Sequence, residues 1–119
     1  MRAKVITFIM LMAFGALGCA PSTKYHWGNY ENSLYRYYKN PSQVEEMAEA
    51  LAKIIEKGEQ DGKVPPGLYA EYGYFLFITG NTKEAVTYFE KEKNIWPESS
   101  VLMDKMIETT KTDDIKKSK

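Results

Sequence analysis

The chain has 119 residues, a formal net charge of zero, 44% hydrophobic residues and 13% aromatic residues, which suits one small domain with a buried core. Because there is no basic excess, composition argues against nucleic-acid binding. A single Cys and a single His exclude an internal disulfide and a structural zinc site of the usual kind. We therefore expect no metal and no cofactor.

The first 18 residues have the pattern of a secretory signal peptide. Arg2 and Lys4 precede a largely apolar run over residues 5–17. These 13 residues are fewer than the roughly 20 that a helix needs to span a bilayer. The run is therefore expected to direct export and then to be removed, rather than to anchor the protein as a helix.

The end of that run resembles the lipobox of bacterial lipoproteins. It reads Ala-Leu-Gly-Cys, with Ala16 and Leu17 exchanged relative to the usual order. The resemblance implies cleavage before Cys19, acyl chains on that residue, and a lipidated tether over residues 19–25. Since Ala20 and not Asp follows the Cys, it also implies sorting to the outer membrane of a Gram-negative cell. The alternatives are a plain secretory signal or a buried N-terminal helix with a chance Cys.

Apolar periodicity predicts an all-α domain over residues 26–108, with about five helices in antiparallel hairpins. The predicted helices cover residues 29–40, 41–58, 67–79, 81–94 and 99–108. Residues 109–119 are charged and lack a strong apolar face, so we expect a flexible tail there.

The first two helices carry the clearest local signals. The first is predicted to bury one face, formed by Tyr30, Leu34, Tyr37 and Tyr38. The second is expected to begin at a capping box made by Ser42 and Glu45 and to end at Gly58.

Residues 66–99 match the spacing of one 34-residue tetratricopeptide repeat. Its landmarks are aromatic, small and turn residues in the expected order, namely Tyr69, Tyr72, Gly73, Leu76, Gly80, Ala85, Phe89 and Pro97. Gly73 and Ala85 are expected to be small because two antiparallel helices cross closely there. Glu92 departs from the pattern, which has Ala at that position. Any helical hairpin shows apolar periodicity, but the register of these landmarks favours a minimal tetratricopeptide-repeat-like solenoid.

Nearly the whole chain resembles a family of small tetratricopeptide-like bacterial lipoproteins of uncharacterised function. The similar segments are the lipobox, YHWGNYENSLYRYYKNP, VPPGLYAEYGY and GNTKEAVTYFEKEKNIWPES. In that family the gene tends to lie beside one for a lipoprotein similar to the curli secretion channel, and beside another small lipoprotein. The resemblance implies a role in an outer-membrane complex, and it brings no catalytic residues.

A partner-binding groove is expected on the third helix. In tetratricopeptide repeats the concave face comes from the first helix of each pair, which here predicts a groove of Ala70, Tyr74, Phe77 and Ile78. The Lys and Asn residues with which chaperone-type repeats hold a carboxylate are replaced by Ala70 and Tyr74. An apolar segment of another envelope protein is therefore the expected ligand. Alternatively, the 26–40 helix fills this face.

Two other function classes are alternatives to the adaptor. Aromatic side chains of the first block, Tyr25, Trp27, Tyr35 and Tyr38, could stack on sugar rings in a peptidoglycan- or polysaccharide-binding module, and Tyr35 is the one that lies off the predicted helical face. A cell-wall hydrolase has little support, because His26 lies before the first helix and no nucleophile accompanies it. The carboxylates of the second helix are expected to form a solvated face that includes a Glu49–Lys53 ion pair. We predict that the chain is not an enzyme.

Together these patterns favour a lipoprotein of the outer membrane that faces the periplasm and acts as a non-catalytic interaction adaptor. The expected partners are envelope proteins, among them a lipoprotein similar to the curli secretion channel. Membrane contact is expected through the lipid on Cys19, and no nucleic acid is expected to bind.

Overall fold

A computed structural model describes residues 23–117, which contain five α-helices and no β-strand. In chain order they are α1 Tyr30–Lys39, α2 Val44–Asp61, α3 Leu68–Ile78, α4 Thr82–Ile95 and α5 Ser100–Lys117. A 3₁₀ turn, Pro97–Ser99, connects α4 to α5. The prediction of an all-α fold with about five helices is confirmed.

The central helix is α3, because it contributes to both hydrophobic clusters of the domain. The first cluster joins α2 to α3 through Met47, Leu51, Ile54, Ile55, Leu68, Tyr69 and Phe75. The second cluster joins α3, α4 and α5 through Leu76, Ala85, Phe89, Met103 and Ile107. Each helix packs against the next one in the chain, and α1 adds Tyr30 and Tyr37 to the first cluster.

The helices α3 and α4 approach most closely at Gly73. A Cβ atom added to Gly73 would lie 2.7 Å from Cε1 of Phe89 and 3.2 Å from the backbone oxygen of Ala85. Ala85 and Phe89 are both fully buried. Only a residue without a side chain fits between these two helices, so the small residues at 73 and 85 set the distance at which α3 and α4 pack.

The other repeat landmarks lie around this crossing. Tyr69 and Leu76 are buried, and the ring of Tyr72 packs edge-on against Tyr88 with centroids 4.6 Å apart. Gly80 forms the turn between α3 and α4 at φ 90°, a conformation that glycine adopts without strain. Pro97 begins the 3₁₀ turn after α4.

The buried face of α1 is narrower than predicted. Ser33 is buried and Tyr30 and Tyr37 are half-buried, whereas Leu34 is 38% exposed and Tyr38 is 77% exposed. The expectation that Leu34 and Tyr38 belong to the core is therefore wrong. Among residues 23–117, α1 has packed neighbours on one side only, so none of these residues covers the outer part of its apolar stripe.

The ends of α2 also differ from the sequence prediction. Its N-cap is Gln43, and Ser42 Oγ donates to Asn40 Oδ1 at 2.7 Å instead of capping the helix. The helix passes through Gly58 and ends at Gly62, whose φ of 64° suits a C-cap. Gly58 is small for a packing reason, since an added Cβ would lie 3.0 Å from Val64 Cγ2.

The predicted flexible tail is corrected for residues 109–117, because α5 continues to Lys117. Thr110 is 1% exposed against the rest of the domain. Thr82, at the start of α4, donates its hydroxyl to both carboxylate oxygens of Asp114 at 2.8 Å. The buried side chain of Thr110 and this bond hold the helix where the sequence lacks an apolar stripe.

We expect Gly73→Ala to lower the free energy of unfolding by about 1–2 kcal/mol, because the new methyl group overlaps the Phe89 ring. Helix propensity alone predicts the opposite sign, a gain of about 1 kcal/mol. Urea denaturation followed by circular dichroism measures the difference. In a Phe89→Leu background the same substitution should cost little, and an equal cost in both backgrounds would contradict the steric explanation.

Candidate partner-binding face

The residues predicted to form a groove on α3 divide into two pairs. Tyr74 is 45% exposed and Ile78 is 42% exposed. Ala70 and Phe77 are half-buried and pack against the second hydrophobic cluster, which includes side chains of α4 and α5. The surface available to a partner on α3 is therefore formed by Tyr74 and Ile78, and not by all four residues.

The helix α1 runs beside α3 and in the same direction. The Tyr30 hydroxyl donates to Glu71 Oε2 at 2.9 Å, and about two turns further along the rings of Tyr37 and Phe75 meet edge-on with centroids 5.0 Å apart. These contacts occur in the same order on both helices, which makes the helices parallel. They involve Glu71 and Phe75, so α1 does not fill the surface at Tyr74 and Ile78.

Leu34 and Tyr38 of α1 extend the exposed surface of α3. On α1, Tyr30 and Tyr37 face α3, and Ser33 points toward α2. Leu34 and Tyr38 lie on the side of α1 opposite Ser33, and therefore away from α2. On α3, Tyr74 and Ile78 likewise lie on the side away from α2, each three residues after a residue that contacts α1. We call these four exposed side chains, Leu34, Tyr38, Tyr74 and Ile78, the apolar face.

The polar contact that joins α1 to α3 lies beneath the apolar face. Burial raises the pKa of Tyr30 to about 12, and its hydrogen bond to Glu71 acts in the same direction. Burial also raises the pKa of the Glu71 carboxyl, while the Tyr30 hydroxyl partly opposes that change. The carboxylate and the phenol satisfy each other in a partly buried position, which fixes the spacing of the two helices.

The N-terminus of α3 is held by a carboxylate that comes from α4. Glu92 is 2% exposed, and its Oε1 accepts the backbone N–H of Gly67 at 2.7 Å. Burial raises the pKa of Glu92, and backbone N–H groups of Gly67, Ala70 and Tyr69 oppose that change. Glu92 was visible in the sequence only as a departure from the repeat pattern. The partner of Glu92 could not be predicted from the sequence, because Gly67 lies 25 residues away from it.

Tyr35, the residue of the glycan hypothesis, lies outside the apolar face. Its side chain is 61% exposed, and the Lys39 ammonium lies 5.4 Å from the centroid of its ring. Trp27 is 44% exposed and its ring contacts Tyr30 with centroids 5.4 Å apart. Each of these rings offers a single aromatic surface.

The remaining predicted sites fall partly outside the described residues. Cys19 and the predicted signal peptide lie before residue 23, outside the described residues. No helix between residues 23 and 117 is long and apolar enough to cross a membrane. Within the same range, no group of three His, Cys, Asp or Glu side chains could hold a metal ion. His26 is half-buried, and its backbone N–H donates to the Lys63 carbonyl at 2.8 Å.

Comparison with known proteins gives one match. A family model described as a domain of unknown function (DUF4810) matches residues 24–106, which covers the tether end, α1 to α4 and the first part of α5. No curated protein and no solved structure matches the chain.

Replacing Glu92 by Ala should lower the free energy of unfolding by about 1–3 kcal/mol, because the Gly67 N–H then loses its buried acceptor. Glu92→Gln keeps one acceptor oxygen and should cost less at neutral pH. Chemical denaturation of both variants beside the unchanged protein measures these costs. Equal stability of all three proteins would contradict a capping role for Glu92.

The stability difference between the unchanged protein and Glu92→Gln is also predicted to depend on pH. Because burial raises the pKa of Glu92 above 4.5, the folded state keeps a proton that the unfolded chain releases. The stability due to this group is full below pH 4.5 and is lost as pH rises through the folded pKa. Glu92→Gln lacks that loss, so its stability relative to the unchanged protein should improve between pH 4.5 and 7.

Proposed function

The chain belongs to the DUF4810 family of domains of unknown function, and we propose that it is a non-catalytic interaction adaptor of the bacterial outer membrane. In this proposal the protein is anchored by acyl chains on Cys19 and faces the periplasm. The helical domain then presents the apolar face to another envelope protein. The described residues supply a binding surface, and the N-terminal sequence supplies the anchor.

The anchor is supported by the order of signals at the N-terminus. Two basic residues, an apolar run too short to span a bilayer and a lipobox-like Ala-Leu-Gly-Cys follow one another before the domain begins. Tyr25 packs edge-on against Trp96 with ring centroids 6.1 Å apart, so packing against the domain begins six residues after Cys19. A tether of that length spans at most about 20 Å, which would keep the domain close to the membrane.

The repeat interpretation is supported by the helical hairpin of α3 and α4. Its close crossing at Gly73, its turn at Gly80 and its buried Ala85 and Phe89 lie where a tetratricopeptide repeat has such features. In such repeats the first helices of successive pairs line one concave surface. Here α1 and α3 take that place, and α5 would be the first helix of an incomplete third pair.

The observation that carries the proposal is the apolar face itself. Four large apolar side chains, between 38% and 77% exposed, lie on two neighbouring helices. Grouped apolar side chains of this kind mark interaction surfaces in soluble domains. A hydrophobic helix or extended segment of an envelope protein fits the surface, with Tyr38 and Tyr74 as the main anchors. The family resemblance makes the lipoprotein similar to the curli secretion channel the first partner to test.

A glycan-binding module is the second candidate, and the exposed ring of Tyr35 favours it. Stacking of that ring on a sugar would not need the apolar face. The adaptor is preferred because Tyr35 is a single ring beside the Lys39 ammonium, whereas the apolar face joins side chains from two helices.

The adaptor is tested by a double variant, Tyr38→Ala with Tyr74→Ala. Crosslinking in the native envelope, followed by purification, should recover at least about tenfold less of the channel-like lipoprotein, because two exposed anchors are lost while the core is unchanged. Tyr35→Ala is the matched control, an exposed tyrosine of the same helix outside the face. Unchanged recovery with a folded double variant would contradict the apolar face, and selective loss of peptidoglycan binding in Tyr35→Ala would support the glycan module.

The lipid anchor is tested separately. Cells grown with an alkyne analogue of palmitate should label the protein, and Cys19→Ser should abolish both the label and recovery in the outer-membrane fraction. An unlabelled protein that still reaches the periplasm would support the plain secretory signal. That outcome would leave the apolar face as an independent proposal.

A further inference from the structure

The tether joins the domain at the end where α4 ends and α5 begins. Tyr25 packs against Trp96, which directly follows α4, with ring centroids 6.1 Å apart. The backbone N–H of His26 donates at 2.8 Å to the carbonyl of Lys63, which lies between α2 and α3. We call this end of the domain, formed by residues 23–29, 62–67 and 95–102, the tether end.

The tether end exposes large apolar side chains that do not belong to the apolar face. In the first turn of α5, Val101 is 86% exposed and Leu102 is 60% exposed, whereas the next residue, Met103, is buried in the second hydrophobic cluster. Ile95, the last residue of α4, is 52% exposed, and Trp27 is 44% exposed. The core of the described domain therefore uses none of these four side chains fully.

The opposite end of the domain is polar. It is formed by the turn from α1 to α2, over residues 40–43, and the turn from α3 to α4, over residues 79–81. These turns read Asn-Pro-Ser-Gln and Thr-Gly-Asn, without a large apolar side chain. The two ends of one helical domain thus differ in chemistry, and the apolar end is the one that the tether joins.

The charges at the tether end are mixed. Lys24 and Lys63 are exposed, and neither forms an ion pair within the described residues. Glu98 of the 3₁₀ turn is exposed as well. Lysine side chains can cover apolar surface with their stems while the ammonium reaches a phosphate. Because a carboxylate offsets part of that attraction, apolar contact has to supply most of the affinity of this surface.

The short tether selects the occupant of this surface. Six residues separate Cys19 from Tyr25, and a chain of that length spans at most about 20 Å. With Cys19 acylated, as the proposed function states, the tether end stays within that distance of the lipid headgroups. A short tether also gives a high effective concentration, so that contacts too weak to hold a free domain still form.

We propose that the tether end lies on the bilayer that holds the anchor, an orientation that rests on the proposed acylation of Cys19. Val101 and Leu102 enter the boundary between headgroups and acyl chains. Trp27 lies at headgroup level, where indole rings are favoured, and Lys24 and Lys63 contact lipid phosphates. Lipid thereby covers apolar side chains that the described residues leave exposed.

This orientation keeps the apolar face available to a protein partner. Tyr74 lies six residues after Leu68, the first residue of α3, which is about 9 Å along the helix from the tether end. Ile78 lies one turn further along the same helix. The anchor and the tether end then hold the domain on the membrane, while the apolar face contacts the partner above it.

The test uses the lipidated protein in vesicles of phosphatidylethanolamine and phosphatidylglycerol whose acyl chains carry bromine, a quencher of tryptophan fluorescence. Trp27 and Trp96 are the only tryptophans of the chain, and both lie at the tether end. Their fluorescence should be lower than in vesicles of unbrominated lipid. Unchanged fluorescence would overturn the proposal.

A double variant, Val101→Ser with Leu102→Ser, should lose most of that quenching, because it removes the apolar contact while the core is unchanged. Leu34→Ser with Ile78→Ser is the matched control, a pair of exposed apolar residues outside the tether end, and it should keep the quenching. Equal quenching of the unchanged protein and both variants would show that the tether alone brings the tryptophans near lipid, and would overturn the contact.

Salt separates apolar contact from attraction between lysines and phosphates. In about 1 M salt the Debye length falls to about 3 Å, yet quenching should persist, because apolar burial is not screened. Quenching that disappears in salt would overturn the placement of Val101 and Leu102 in the bilayer. A photo-reactive residue at position 102 that crosslinks to an envelope protein instead of lipid would also overturn it.

Mass spectrometry of the same purified protein separates this proposal from the proposed anchor. Acyl chains on Cys19 together with unquenched tryptophans would overturn the lipid contact and leave the anchor in place. An unmodified Cys19 would overturn the anchor, and with it the lipid contact that depends on the short tether.

Discussion

The tight crossing at which Gly73 of α3 faces Phe89 of α4 is the constraint on which the other packing depends. The helix α3 is shared by both hydrophobic clusters, so the distance between α3 and α4 also sets where α2 and α5 can pack. A side chain at position 73 would move Phe89, which is fully buried at the centre of the second cluster. Close-packed interiors cannot absorb such a displacement locally, and the effect would spread to both hairpins.

Polar contacts then orient the helices that apolar packing brings together. The Glu92 carboxylate holds the first turn of α3, and the bond from Tyr30 to Glu71 fixes α1 beside it. Both bonds are at least partly buried and join elements far apart in the chain. The bond from Tyr30 to Glu71 holds α1 beside α3, so that the exposed side chains of the two helices form one surface.

Much of the fold could be predicted from residue spacing, but only part of the candidate site could. The hairpin of α3 and α4 was readable because Gly73, Gly80 and Ala85 perform local tasks at fixed intervals. Leu34 and Tyr38 were misassigned to the core, because periodicity identifies an apolar stripe without saying how many neighbours cover it. The length of α5 was underestimated for a related reason, since Thr82 and Asp114, which bond each other, lie 32 residues apart.

By itself, the amino-acid sequence determined the helical class and the close crossing of α3 on α4. These features depend on residues near one another in the chain, whose spacing carries the information. Only the tertiary structure decided which apolar side chains remain exposed, which carboxylate caps α3 and how far α5 extends. Those outcomes depend on contacts between residues far apart in the chain. Whether a side chain is buried or paired is therefore set by how the helices pack and not by its neighbours in the sequence.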